Sequence, residues 1–274
     1  MRVACIQPEI APTREACYRR VDELVNRLIK THGKPDIITL PERWIPFDAQ
    51  FENNFQPERG PDYSQIKELA KKYRVNFLSG AIWEKRSERD GERNYVTCYY
   101  FNSQGEEIGR QDKIHLYTYE LRYFEPSKEL KIFRLNEYHF AILICFDMAF
   151  YETPRLAAEN GADLLISPTQ IREEGLHNWN IYLQARALEN KIPVVACNTV
   201  GTIQINEPRN FLGKSKIISF ENGPITPSKL IIKEAPSDNG FVYGEIDLEF
   251  PRKLRNIRLN EKIDRSSISI EKID

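Results

Sequence analysis

The run Phe140-Ala141-Ile142-Leu143-Ile144 carries no charge and leads directly into Cys145, with Asp147 two positions further on. A short, uninterrupted apolar run reads as a strand buried on both faces, as in parallel sheets covered by helices. Downstream, Thr153 suits a helix N-cap, Pro154 the first helical position and Gly161 the stop. Asp163 to Ser167 then reads as a second strand, ending at Pro168. This strand–helix–strand unit demands a layered α/β fold. It also sets Cys145 at the carboxyl end of the first strand, where open α/β sheets place their ligands. Cys145 is therefore a candidate nucleophile.

The rest of the chain supplies the layers. Arg2 to Gln7 reads as a strand, and Thr13 caps an amphipathic helix to about Lys30 with Cys17, Val21, Leu24, Val25, Leu28 and Ile29 on one face. Asp36 to Leu40 is a short strand followed at once by Pro41-Glu42. Residues 43–60 hold Trp44, Phe47, Phe51 and Phe55 among polar residues and read as a loop that walls a pocket. Ser64 to Tyr73 is helical and Asn76 to Trp83 a strand, while the charge-rich stretch Glu84 to Arg93 reads as a solvated hairpin tip. Strands at Tyr95–Phe101 and Glu106–Gln111 flank a turn, and residues 117–129, with Tyr117, Tyr119, Glu120 and Tyr123, form a second pocket loop. His177 to Asn190 is a helix with Trp179, Ile181, Tyr182, Ala185 and Leu188 as inward candidates. Strands are expected at Pro193–Cys197, Ser215–Ser219, Leu230–Lys233 and Phe241–Ile246. No interdomain linker interrupts this order. Residues 1–260 read as one domain, and 261–274 as a polar tail or arm.

Charge and cysteine usage exclude several classes. Lys+Arg 39 against Asp+Glu 40 gives a net charge of −1, so no global basic field favours nucleic acid or an anionic membrane. No stretch approaches the roughly 18 apolar residues of a membrane span. The apolar start at Met1 is too short for a signal peptide, and a cytoplasmic protein is expected. The five cysteines, Cys5, Cys17, Cys98, Cys145 and Cys197, are odd in number and widely spaced, which argues against a disulfide framework or a zinc site.

A free thiol is mostly protonated at neutral pH, with a pKa of about 8.5, so Cys145 needs a base or a cationic neighbour. His139 lies at the far end of the same strand, about 20 Å away at ~3.3 Å per residue. His32 has no evident link to the sheet mouth, whereas His115 and His177 remain open as partners. Glu42 and Lys113 each follow a predicted strand and project where Cys145 projects if those strands share a mouth.

The ordered set Leu40-Pro41-Glu42, Asp112-Lys113-Ile114-His115-Leu116 and Ile144-Cys145-Phe146-Asp147 resembles the carbon–nitrogen hydrolase, or nitrilase, superfamily. Further similarity runs through Ile6-Gln7-Pro8, Phe124-Glu125-Pro126, Trp179 with Ala185–Asn190, Phe211–Ser215 and Gly244–Asp247, and covers about residues 2–260. The resemblance implies a four-layer α-β-β-α sandwich with two central mixed sheets, associating at least as a homodimer. It implies a Glu42–Lys113–Cys145 triad with Glu120 as a second glutamate. It also implies hydrolysis of a non-peptide C–N bond through a Cys145 thioester, with no metal or organic cofactor. Phe146, Asp147, Thr169 and Gln170 are the candidate oxyanion and substrate-binding positions. Asp147, where true nitrilases commonly carry Glu, tilts the expected substrate toward a small-molecule amide or N-carbamoyl compound. Ala149 stands where the ω-amidase branch carries an arginine, which argues against acidic substrates. Nitrile hydrolysis, acyl transfer to an amine and a non-catalytic binding protein of the same fold are the alternative readings.

Overall fold

The computed structural model describes residues 1–204, 207–224, 226 and 229–273. Among the described residues, sixteen strands form two large sheets and one hairpin. The first sheet runs in the order β16 (Gly240–Glu245), β1 (Arg2–Gln7), β2 (Ile37–Thr39), β4 (Asn76–Leu78), β6 (Gly91–Phe101), β5 (Ile82–Glu88) and β3 (Gln56–Pro57), with β7 (Glu107–Asp112) also on β6. The second runs β15 (Lys229–Glu234), β14 (Lys216–Glu221), β11 (Val194–Asn198), β10 (Leu164–Thr169), β9 (Tyr138–Ile142) and β8 (Ile132–Leu135). The hairpin joins β12 (Val200–Gln204) to β13 (Pro208–Leu212).

Alternation along each strand decides the layering. On β1, Val3 and Cys5 enter the core between the sheets, while Ala4 and Ile6 pack against α1 (Arg14–His32) and α2 (Pro61–Tyr73). In the central run, Phe140, Ile142 and Ile144 point between the sheets. Ala141 and Leu143 point toward α3 (Glu152–Glu159) and α4 (Leu176–Asn190). Both faces of this strand are therefore buried, which is why its sequence shows no polar alternation. Burying each of Phe140, Ile142, Leu143 and Ile144 contributes about 1.5–3 kcal/mol. The result is the expected α-β-β-α sandwich. A fifth helix, α5 (Glu249–Asn260), carries Arg252 and Arg255, which both pair with the buried Asp163. Beyond α5 the described residues carry a single 3₁₀ turn, Arg265–Ser267; position 274 of the expected tail lies outside the described residues.

Several expectations are corrected. The predicted strand 76–83 is two strands, broken at Ser79-Gly80-Ala81. Gly80 has φ +70°, and a Cβ there would lie 2.1 Å from the Pro41 carbonyl oxygen, so the chain must turn where it passes Glu42. The stretch 84–93 is not simply a solvated tip. Glu84 and Arg86 are buried, and Arg86 donates to Glu84, Thr97 and Asp112. β10 runs through Pro168 to Thr169 because β9 pairs with it only as far as Ile166, so no ladder donor is lost on that side. α3 begins at Glu152, not after Thr153; the Thr153 hydroxyl donates to the Asp147 carbonyl instead of capping. On α4 the buried stripe is Trp179, Leu183, Arg186, Ala187 and Asn190, whereas Ile181, Tyr182 and Leu188 are exposed. The hairpin β12–β13 has no counterpart in the sequence reading.

Candidate active site

Glu42, Lys113, Cys145 and Gln170 follow the carboxyl ends of β2, β7, β9 and β10, so four strands from two sheets open onto one place. Hydrogen bonds to backbone carbonyls fasten the sheets there. The Glu42 N–H donates to the Thr169 carbonyl at 3.1 Å, and the Thr199 hydroxyl donates to the Arg43 carbonyl at 2.7 Å. The Lys113 ammonium, almost wholly buried, donates to Glu42 Oε1 and Glu120 Oε1, each at 2.8 Å. Glu120 comes from a 3₁₀ turn, Glu120–Arg122, and its Oε2 accepts the Tyr117 N–H at 2.7 Å. Burial alone pulls Lys113 down, but Glu42 and Glu120 together hold it well above the ordinary lysine range. Burial pushes the Glu120 carboxyl up against the opposing pull of Lys113.

Cys145 occupies the left-handed region with φ +49° and opens a 3₁₀ turn, Cys145–Ala149. A non-glycine residue in this region is strained and persists only where its surroundings fix it. Asp147 does much of that fixing. Its Oδ2 accepts the Ile144 N–H at 2.9 Å and its Oδ1 accepts the His115 N–H at 2.7 Å. One wholly buried carboxylate thus ties the turn that carries the thiol to the loop that follows Lys113. Arg186 braces the far end of the turn, donating to the carbonyls of Met148 and Ala149. Burial and the Glu42 carboxylate push the Cys145 thiol well above its usual range, with Lys113 and the Gln170 N–H pulling the other way. In this setting the group rests as a thiol.

Glu42, Lys113, Glu120 and Cys145 line a cavity of about 780 Å³, within the range of small-molecule sites. Phe47 and Phe51 from one expected pocket loop and Tyr119 and Tyr123 from the other line it, together with Trp83 of β5. Arg43 supports that wall from behind: its guanidinium lies 4.9 Å from the Phe47 ring centre and 4.8 Å from that of Trp83, and donates to Asn54. Burial brings Arg43 down to about 10.

The sequence candidates separate cleanly in space. Glu42, Lys113, Glu120, Cys145, Phe146 and Gln170 all line the cavity. Asp147 and Thr169 do not. The Thr169 hydroxyl donates to the Cys197 carbonyl and Asn198 Oδ1, so both side chains are engaged with neighbouring chain segments. Neither open histidine lines the cavity: His115 Nδ1 lies 3.1 Å from Asp147 with its ring stacked on Phe150, and His177 is exposed. The sequence reading missed Arg186, Arg172 and the hairpin residues Ile203 and Arg209. Arg186 lies inside a stretch already noted for its similarity, but no local signal marked that arginine.

Residues 2–255 match the family model described as carbon–nitrogen hydrolase. The chain belongs to the carbon–nitrogen hydrolase family. It is 30% identical to a protein of Schizosaccharomyces pombe named a probable nitrilase, over 92% of this chain and 91% of that one. It is 28% identical to the 2-oxoglutaramate amidase of Bacillus subtilis, over 92% and 93% respectively. Among solved structures, the carbon–nitrogen hydrolase of Helicobacter pylori superposes with a TM-score of 0.82 at 21% identity, over 97% of this chain and 96% of that one. Nit3 of Saccharomyces cerevisiae gives 0.81 at 23%, over 98% and 97%.

Proposed function

We propose that the protein hydrolyses a small-molecule amide, releasing ammonia or an amine, through a thioester on Cys145. The observation that carries this reading is the buried Lys113 held between Glu42 and Glu120 beside a protonated, strained thiol at the floor of a cavity. Glu42 takes the thiol proton as the sulfur attacks the amide carbon. An ammonium has three donors; Glu42 and Glu120 take one each, and the third is available to the oxyanion, together with the Phe146 N–H. Collapse of the tetrahedral intermediate breaks the C–N bond, and Glu42 returns the proton to the leaving nitrogen. A water activated by Glu42 then attacks the thioester, regenerating the thiol and yielding the carboxylic acid. Glu120 keeps Lys113 aimed and charged. The naming of the B. subtilis relative as an amidase favours an amide over a nitrile.

The Cys145→Ala variant should release no ammonia from any amide that the wild type hydrolyses, with an unchanged circular dichroism spectrum; retained activity excludes the thioester. In Glu42→Gln the acyl-enzyme or the free thiol should persist, read by intact-protein mass spectrometry after mixing with substrate. Hydroxylamine added to the wild type separates water from amines as the acceptor. The exposed Leu156 of α3 with Ile181 and Leu188 of α4 supports a homodimer through the helical layer, checked by sedimentation. Five free cysteines fit the reducing cytoplasm.

A further inference from the structure

Six charged residues line the cavity: Glu42, Lys113, Glu120, Arg172, Glu174 and Arg209. Five of them are matched within the protein. Lys113 lies between Glu42 and Glu120, and Arg172 lies 3.6 Å from Glu174. Among the described residues the Arg209 side chain makes no hydrogen bond or ion pair, although the residue is half-buried. The hairpin explains where it points. Arg209 and Phe211 are two apart on β13 and so share a face, and Ile203 lies directly across from Arg209 on β12. All three line the cavity, and Ile203 and Phe211 are buried. The arginine stem is thus flanked by apolar side chains while its charge has no partner. A guanidinium in that setting favours a planar, bidentate anion, and a carboxylate fits its fork.

We propose that Arg209 is the residue that selects substrate, and that the amide it selects carries a carboxylate. This inference rests on the amide-hydrolysis reading of the same cavity. It also reverses the argument from Ala149: an arginine missing from the turn after the nucleophile does not leave the cavity without a carboxylate receptor, because the hairpin supplies one.

The test compares two pairs of compounds that differ only by carboxylate against methyl: succinamate with butanamide, and N-carbamoyl-β-alanine with propylurea. In the wild type, kcat/KM for the acidic member of at least one pair should exceed that of its neutral partner by tenfold or more, on the scale of a charge-assisted pair. Arg209→Gln should reduce that ratio at least tenfold, with partial recovery in Arg209→Lys, while Arg172→Gln shifts it far less. Calorimetric binding of all four compounds to the Cys145→Ala protein provides the same comparison without turnover. Two results overturn the proposal: no acidic preference in either pair by rate or by binding, or a preference that survives Arg209→Gln. Cys145-dependent hydrolysis of butanamide with no such preference would leave the thioester reading standing and remove the role of Arg209 alone.

Discussion

Two buried cations, Lys113 and Arg86, each lie between carboxylates, and the adjacent residues Asp112 and Lys113 belong to different clusters. In the first sheet, Arg86 donates to Glu84 at 2.7 Å, to both oxygens of Asp112 at 2.7 and 2.6 Å, and to Thr97; Tyr99 completes the shell on Glu84. The second cluster differs in three ways. Its cation is a lysine with a donor to spare, it borders an open cavity, and a strained thiol stands beside it. Buried ion pairs alone are therefore no mark of an active site. The cluster in the first sheet is closed because a guanidinium satisfies several acceptors at fixed angles, while the other is left one partner short, as a site for chemistry must be.

Exchanging the cations gives the sharpest break in this comparison. Lys113→Met and Arg86→Met should each destabilise the fold by about 3–5 kcal/mol, since each leaves buried carboxylates uncompensated. Only Lys113→Met should also lower turnover per folded molecule, by about 10²–10³-fold, the usual cost of a lost oxyanion donor. Urea unfolding and ammonia release on the same preparations provide both readings, and a similar loss of turnover in Arg86→Met would dissolve the distinction.

A smaller effect tests whether the turn that carries Cys145 is strained. Cys145→Gly should be more stable than Cys145→Ala by about 1 kcal/mol, because only glycine is at ease at φ +49°. Equal stability in urea would mean that the turn carries no strain.

The smallest effects are in pH dependence, and they have opposite signs. Burial opposes ionisation of Asp112, but Arg86 prevails and holds it below the usual carboxylate range. Its stabilisation is present above the ordinary aspartate pKa of about 3.9 and is lost as pH falls through the lower folded value. Glu120 is pushed up by burial, so its contribution is present below the ordinary glutamate pKa of about 4.3 and is lost as pH rises through the folded value. Asp112→Asn should flatten the acid side of a stability–pH curve and Glu120→Gln the side above it. The reverse assignment would contradict the electrostatics of both clusters.

Much of the site was legible because its residues sit at strand ends, where short apolar runs mark position unambiguously. Cys145 followed such a run, and Glu42 and Lys113 each came directly after a recognisable strand. Glu84 and Arg86 were misread because a charged stretch looks the same in sequence whether its charges face water or one another. On α4, apolar residues on both faces left the inward stripe ambiguous, and the buried Arg186 could not be foreseen without the carbonyls it braces. Asp147 was legible as a neighbour of Cys145 but not as a clamp, since its partners are backbone N–H groups that any sequence supplies.

The sequence by itself determined the layered α/β order, the family and the identity of the residues around the thiol, because strand periodicity and the short motifs that carry Glu42, Lys113 and Cys145 are local properties. Tertiary structure decided the rest. It placed two carboxylates 2.8 Å from one ammonium, turned Asp147 away from the cavity and brought the β12–β13 hairpin over it with the Arg209 side chain unpaired among the described residues. Those outcomes depend on which distant backbones meet and which charges remain unmatched when they do.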